Sequence, residues 1–203
     1  MLIVGVTGSL ATGKTTVARL LKMRGAVVID ADAMAHRALA RGTPISRRVV
    51  RIFGPSVLGG RGAISRRKLA EKVFGNSRRL RQLCRLIHPY VGERIRKELA
   101  HLSKDRPSPV VVIDAPLLIE AGFHRWVDML VVVKAPRRVQ VERAARRLGL
   151  SSEAAGARLK AQWPLAKKIQ KADVVIDNGG SMEATRDQVR TLWSSLVHRI
   201  HER

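Results

Sequence analysis

Leu2-Ile-Val-Gly-Val6, then Gly8-Ser-Leu-Ala-Thr-Gly13-Lys14-Thr15, then Thr16-Val-Ala-Arg-Leu-Leu21 decide how this chain reads. The opening apolar run predicts a strand buried on both faces. Gly8 to Thr15 fits the spacing G-x-x-x-x-G-K-[ST] of a phosphate-binding loop, and Val17, Leu20 and Leu21 set a helical stripe directly behind it. Such a loop turns backbone N–H groups inward around phosphate oxygens, and glycines permit the dihedrals and the close approach. The helix that follows presents its positive end to the same phosphates. Contacts with ATP are therefore expected from Gly8, Ala11, Thr12, Gly13, Lys14, Thr15 and Thr16. Lys14 is placed to reach the β/γ oxygens, and the Thr15 hydroxyl to ligate Mg²⁺.

At 203 residues the chain suits one α/β domain with room for helical lobes. No stretch approaches the roughly 20 apolar residues of a membrane span, and the chain enters a strand where a signal peptide would stand. Its one cysteine, Cys84, excludes an internal disulfide framework. A cytoplasmic protein without a membrane partner is expected. The formal net charge of +23 is concentrated in clusters such as Arg66-Arg67-Lys68 and Arg78-Arg79-Leu-Arg81. That balance attracts nucleotides and diphosphates. One Tyr, three Phe and three Trp leave few surfaces on which bases could stack, which argues against a nucleic-acid partner.

Downstream, Ala26-Val-Val-Ile29 reads as a second buried strand that delivers Asp30-Ala-Asp32 at its carboxyl end, where ligands collect in parallel sheets. Alternation allows one of these carboxylates to face the crevice while the chain is extended, and a helix should follow over 33–40. From about Ile45 to Leu102 the pattern is helical. Thr43 and Ser65 are expected caps, Asn76 or Ser77 opens a run to His88-Pro89, and a further helix is expected from Tyr90. Val110-Val-Val-Ile113 is a third strand ending in Asp114, the usual Mg²⁺-side partner of a phosphate loop. Leu130–Val133 and Val174–Ile176 complete a parallel sheet of about five strands with helices on both faces. Between the last two strands, Arg137 to Trp163 reads as helices rich in arginine, where phosphate-loop kinases carry a lid. Arg143 and Arg147 lie four apart and share a helix face. The chemistry implied is phosphoryl transfer from a nucleoside triphosphate. Asp32, one strand over from the loop, is placed to accept the proton of an acceptor hydroxyl.

The order Gly5-Val-Thr-Gly8…Gly13-Lys14-Thr15, Val28-Ile-Asp30-Ala-Asp32, Ile87-His88-Pro89, Asp114-Ala-Pro116-Leu117-Leu118-Ile-Glu120 and Ala172-Asp173-Val-Val-Ile176-Asp177-Asn178 closely resembles the dephospho-CoA kinase family. The resemblance covers essentially the whole chain. It implies transfer of the ATP γ-phosphate to the ribose 3′-hydroxyl of dephospho-CoA, the last step of coenzyme A synthesis. It also implies one phosphate-loop kinase domain with its core at 1–35, 109–136 and 166–203, a CoA-binding helical insertion at 36–108 and a lid at 137–165. Within that scheme Asp32 is the base, Arg143 and Arg147 are lid arginines, and His88, Pro116 and Leu117 lie on the acceptor side. Asn178 lies near the adenine, and Thr15 and Asp114 hold Mg²⁺. The family usually reads Gly-Gly-Ile-Gly-Ser-Gly-Lys-Ser at the loop, so Ala11 replaces a cradle glycine; Leu148 and Ala166 replace residues that are often acidic. Two other readings remain at this point. One is a kinase of the shikimate kinase type, with a shorter insertion and no reason for His88-Pro89. The other is a basic phosphate-loop protein with steeply salt-dependent binding to duplex nucleic acid.

Overall fold

The computed structural model describes residues 1–105, 110–149 and 151–202, without the side chains of Phe74, Asp105, Arg147 and Leu148. Its strands are β1 (Leu2–Gly8), β2 (Val27–Asp30), β3 (Val110–Asp114), β4 (Met129–Lys134) and β5 (Val174–Asp177). They form one parallel sheet in the order β2-β3-β1-β4-β5. β1 is central, with Leu2 opposite Val110 on one side and Val4 opposite Met129 on the other. Neighbours on both edges and helices on both faces explain why β1, β3 and β4 read as continuous apolar runs.

The helices are α1 (Lys14–Lys22), α2 (Ala31–Ala38), α3 (Pro44–Phe53), α4 (Arg66–Phe74), α5 (Ser77–Asp105), α6 (Arg137–Leu148), α7 (Ser152–Lys160), α8 (Leu165–Ile169) and α9 (Met182–His201). On one face of the sheet, Val17 and Leu21 of α1 and Val189 and Leu196 of α9 are fully buried with Val4, Val6 and Val131. Each such side chain contributes about 1.5–3 kcal/mol by burial. On the opposite face the backbone comes close to its neighbours at Gly5, where a Cβ would stand 3.2 Å from Leu118 Cδ2.

The chain divides into two units, Met1–Asp30 with Glu98–Arg203, and Ala31–Lys97. The first holds all five strands. The second is helical and has its own core of Val49, Phe53, Val57, Leu69 and Val73. Its helix starts follow the sequence. Thr43 Oγ1 accepts the Ser46 N–H at 2.9 Å ahead of Pro44, Ser65 Oγ accepts the Lys68 N–H at 3.4 Å, and Asn76 Oδ1 accepts the Arg79 N–H at 3.1 Å. Among the described residues the only strand-like feature here is one antiparallel bridge, Leu58 to Ile64.

Three expectations change. α2 begins at Ala31, directly after β2, so Asp32 sits in a helical turn and strand alternation cannot decide its direction. α5 runs unbroken through Pro89 for 29 residues. A proline there forfeits a backbone bond, but Leu83 and Leu86 before it pack on the helical core, and Val91 and Ile95 after it are buried. Packing on both sides holds the helix together across the proline. Finally, α7 stops at Lys160 and the five-residue α8 follows Pro164. Among the described residues no helix is long and apolar enough to cross a membrane.

Candidate active site

The loop from Gly8 to Thr15 leaves the carboxyl end of the central strand and enters α1 at Lys14. Gly8 cannot carry a side chain, since a Cβ would lie 2.5 Å from the Val133 carbonyl oxygen. Gly13 is left-handed at φ 93°, and a Cβ there would fall 1.9 Å from Asn178 Nδ2. Ala11 also has positive φ, at 56°, so it holds the conformation that suits the family's glycine. Thr12 is fully buried, and its Oγ1 donates to Ser9 O at 3.0 Å, which closes the loop on itself. The Thr16 and Val17 N–H groups bond Gly13 O, while Thr15 is exposed at the helix start.

Asp114 ends β3 in register with Val6 and is buried. Lys14 Nζ lies 3.7 Å from its Oδ1, and the lysine side chain is only 13% exposed. The lysine is thus held at the carboxylate. Among the described residues no three His, Cys, Asp or Glu side chains come together as a protein-only metal site. One buried carboxylate and one exposed hydroxyl are nevertheless oxygen donors of the kind that Mg²⁺ takes beside substrate phosphates in kinases. The residues fit the ion.

Asn178 braces the loop from the far side. Its Nδ2 donates to Thr12 O at 2.7 Å, its Oδ1 accepts from Thr185 Oγ1 at 2.9 Å, and it is buried. The side-chain amide is thereby committed to the protein. Its backbone oxygen accepts from Arg143 Nη1 at 2.9 Å. The same Nη1 is 3.9 Å from where a Gly13 Cβ would stand, so the α6 arginine reaches the phosphate loop. Arg146 is exposed, and the side chain of Arg147 lies outside the described residues. Pro116 and Leu117 follow β3 and are half-buried; Pro116 O accepts from Thr7 Oγ1 at 3.3 Å.

Three residues without a role in the sequence reading belong to this site. Gln162 Oε1 accepts the Leu10 N–H of the loop at 3.0 Å. Lys168 is fully buried, donates to Pro116 O at 2.7 Å and pairs with Glu120 Oε1 at 2.9 Å. Burial pushes its ammonium below the usual lysine value, and the Glu120 carboxylate opposes that shift. Glu120 had stood in the quoted motif, but nothing in Lys167-Lys168 distinguishes a buried lysine from a surface one.

In the helical unit, Asp32 occupies the first turn of α2 and is exposed. His88 is half-buried on α5, just before Pro89.

A glycine loop at the end of the central parallel strand, a lysine–carboxylate pair beside it and an arginine reaching over from the following helical segment define a phosphate-loop kinase. The family model described as dephospho-CoA kinase matches residues 2–184. A dephospho-CoA kinase of Syntrophotalea carbinolica is 42% identical, covering 97% of this chain and 93% of its own. One of Moorella thermoacetica is 41% identical over 98% and 94%. The solved dephospho-CoA kinase of Campylobacter jejuni superimposes with a TM-score of 0.67 at 28% identity, covering 96% of each chain. A shikimate kinase of Acinetobacter baumannii, at 15% identity and a TM-score of 0.51, shares the fold alone. The chain belongs to the dephospho-CoA kinase family and is an ATP-dependent phosphotransferase.

Proposed function

We propose that this chain moves the γ-phosphoryl group of ATP onto the ribose 3′-hydroxyl of dephospho-CoA, in the cytoplasm. The observation that carries the reading is the convergence of Lys14, Asp114 and Arg143 on one phosphate loop. Phosphoryl transfer asks little covalent chemistry of a protein and much positioning and charge neutralisation. Lys14 carries positive charge to the β/γ oxygens, with Asp114 fixing its approach. The Thr15 hydroxyl and Asp114 hold Mg²⁺, which neutralises developing charge when bound. Gly8, Ala11, Thr12, Gly13 and Thr16 supply the backbone cradle. Asn178 shapes that cradle from beneath and brings its own loop to the adenine side. Arg143 reaches the transferring group from the lid, residues 137–165, with Arg147 one turn on.

Asp32 accepts the proton of the attacking hydroxyl as the new P–O bond forms and the bond to the ADP oxygen breaks. Pro116, Leu117 and His88 serve the acceptor, and residues 36–108 form its lobe. ADP release from ATP is the measurement that tests this, with dephospho-CoA set against shikimate, nucleoside monophosphates and water. Dephospho-CoA should exceed every other acceptor, and removal of Mg²⁺ by chelation should stop turnover. Equal rates with dephospho-CoA and water would overturn the assignment.

A further inference from the structure

Lys168 is a charged group with no solvent access in a segment that the transfer chemistry does not use. A buried ion pair is a poor source of stability, because desolvation offsets its attraction. What this pair does is join things. Lys168 lies on α8, just past the lid, while Glu120 closes the turn that begins at Pro116. Glu120 Oε1 accepts both from Lys168 and from the Trp163 N–H, the latter at 3.0 Å, and Trp163 ends the lid's return. Pro116 O accepts from Lys168 and from Thr7, the residue before the loop's first glycine. Gln162, next to Trp163, takes the Leu10 N–H inside the loop. The lid's returning root is therefore fastened to the phosphate loop at two points, one in front of it and one within it. The Lys14 charge adds to the downward push on Lys168.

We propose that Lys168 and Glu120 are positioning residues for phosphoryl transfer, which set the lid root against the phosphate loop so that water is kept from the transferring group. The inference rests on the kinase reading above. A lid held out of place leaves ATP bound but aligns the acceptor poorly, and water then competes for the phosphoryl group. Lys168→Met keeps the length of the side chain and removes the charge and both bonds. It should lower kcat by roughly 10–10²-fold, as small misplacements do, with the KM for ATP within about twofold of the parent. ADP formed per CoA formed should rise above one. A merely structural defect lowers the folded fraction and both products together, so that ratio would stay at one, and this result would overturn the proposal. So would parental kcat in a folded variant.

If Lys168→Met does not fold, Glu120→Gln decides. Its amide oxygen still accepts the Trp163 N–H but no longer neutralises Lys168; a raised ratio at unchanged ATP KM supports the proposal, and parental behaviour overturns it. Failure of the kinase reading would show separately, as a parent enzyme that makes no CoA.

Discussion

In the helical unit, Ala31–Lys97, 17 Lys and Arg stand against 3 Asp and Glu, and every one of those cations except Lys72 is exposed. The sheet-bearing unit has a milder excess but holds three of its cations in fixed places. Lys14 rests at Asp114, Lys168 is sealed against Glu120, and Arg143 is tied to the Asn178 carbonyl. The difference teaches two uses of one charge. A cation fixed in a dry pocket acts on a single atom, because low dielectric strengthens it and no reorganisation is needed. Solvated cations are individually weak and screened by salt, and they act together as a field that draws in an anion.

The sharpest test of that contrast stands at the border between the units. Asp30 is the last residue of the sheet unit and Asp32 falls in the first turn of the helical one. Asp32→Asn should keep ATP affinity and melting temperature yet lose roughly 10²–10⁴ in kcat, the range of general-base assistance. Asp30→Asn should cost far less at saturating substrates. If Asp30→Asn is the crippled variant, the base belongs to the sheet unit and the border is drawn in the wrong place.

Next in size is Lys14→Ala. Loss of a fixed charge at the transferring group should lower kcat by roughly 10²–10³ while circular dichroism stays parental. Unfolding in its place would mean that the lysine chiefly neutralises the buried Asp114.

Salt separates the two kinds of charge more gently. Between about 50 and about 300 mM, where the Debye length shortens roughly two- to threefold, the KM for dephospho-CoA should rise roughly three- to tenfold and kcat should change by less than about twofold. A steep kcat with a flat acceptor KM would break the comparison.

The smallest effect concerns the loop backbone. Ala11 at φ 56° sits where a Cβ is strained, by about 1–2 kcal/mol. Ala11→Gly relieves that strain and loses part of the gain to backbone entropy. Denaturant melts should show a net stabilisation of up to about 1 kcal/mol, and a destabilised variant would mean that neighbouring contacts already absorb the strain.

Much of this was legible in residues whose meaning is local. The apolar runs of β1, β3 and β4, the loop spacing and the caps at Thr43 and Ser65 depend on near neighbours, and the structure has them there. Pro89 misled because a local rule met tertiary packing and lost. The alternation argument for Asp30 and Asp32 did not apply because α2 begins at Ala31 with no connecting loop. Lys168 was illegible for a deeper reason. Its partners, Glu120 and Pro116, are about fifty positions away, and only the fold brings them to it. Asn178 was noticed as part of a motif, but its grip on Thr12 spans 166 positions and follows from β5 joining the sheet beyond β4.

That span has a consequence for how the protein is made. The ribosome releases the glycine loop before the residues that complete it, attached to a strand that is apolar on both faces. Both partners of that strand arrive late, β3 beginning at Val110 and β4 at Met129, and the braces Gln162 and Asn178 come later still. Through most of synthesis the nascent chain displays the motif without the site, with an unpaired hydrophobic strand open to aggregation. ATP can steady the folded enzyme, yet it has nothing finished to bind on an unfinished chain. A polypeptide cut short after residue 160 would still spell the phosphate loop and would lack both of the braces that hold it in shape.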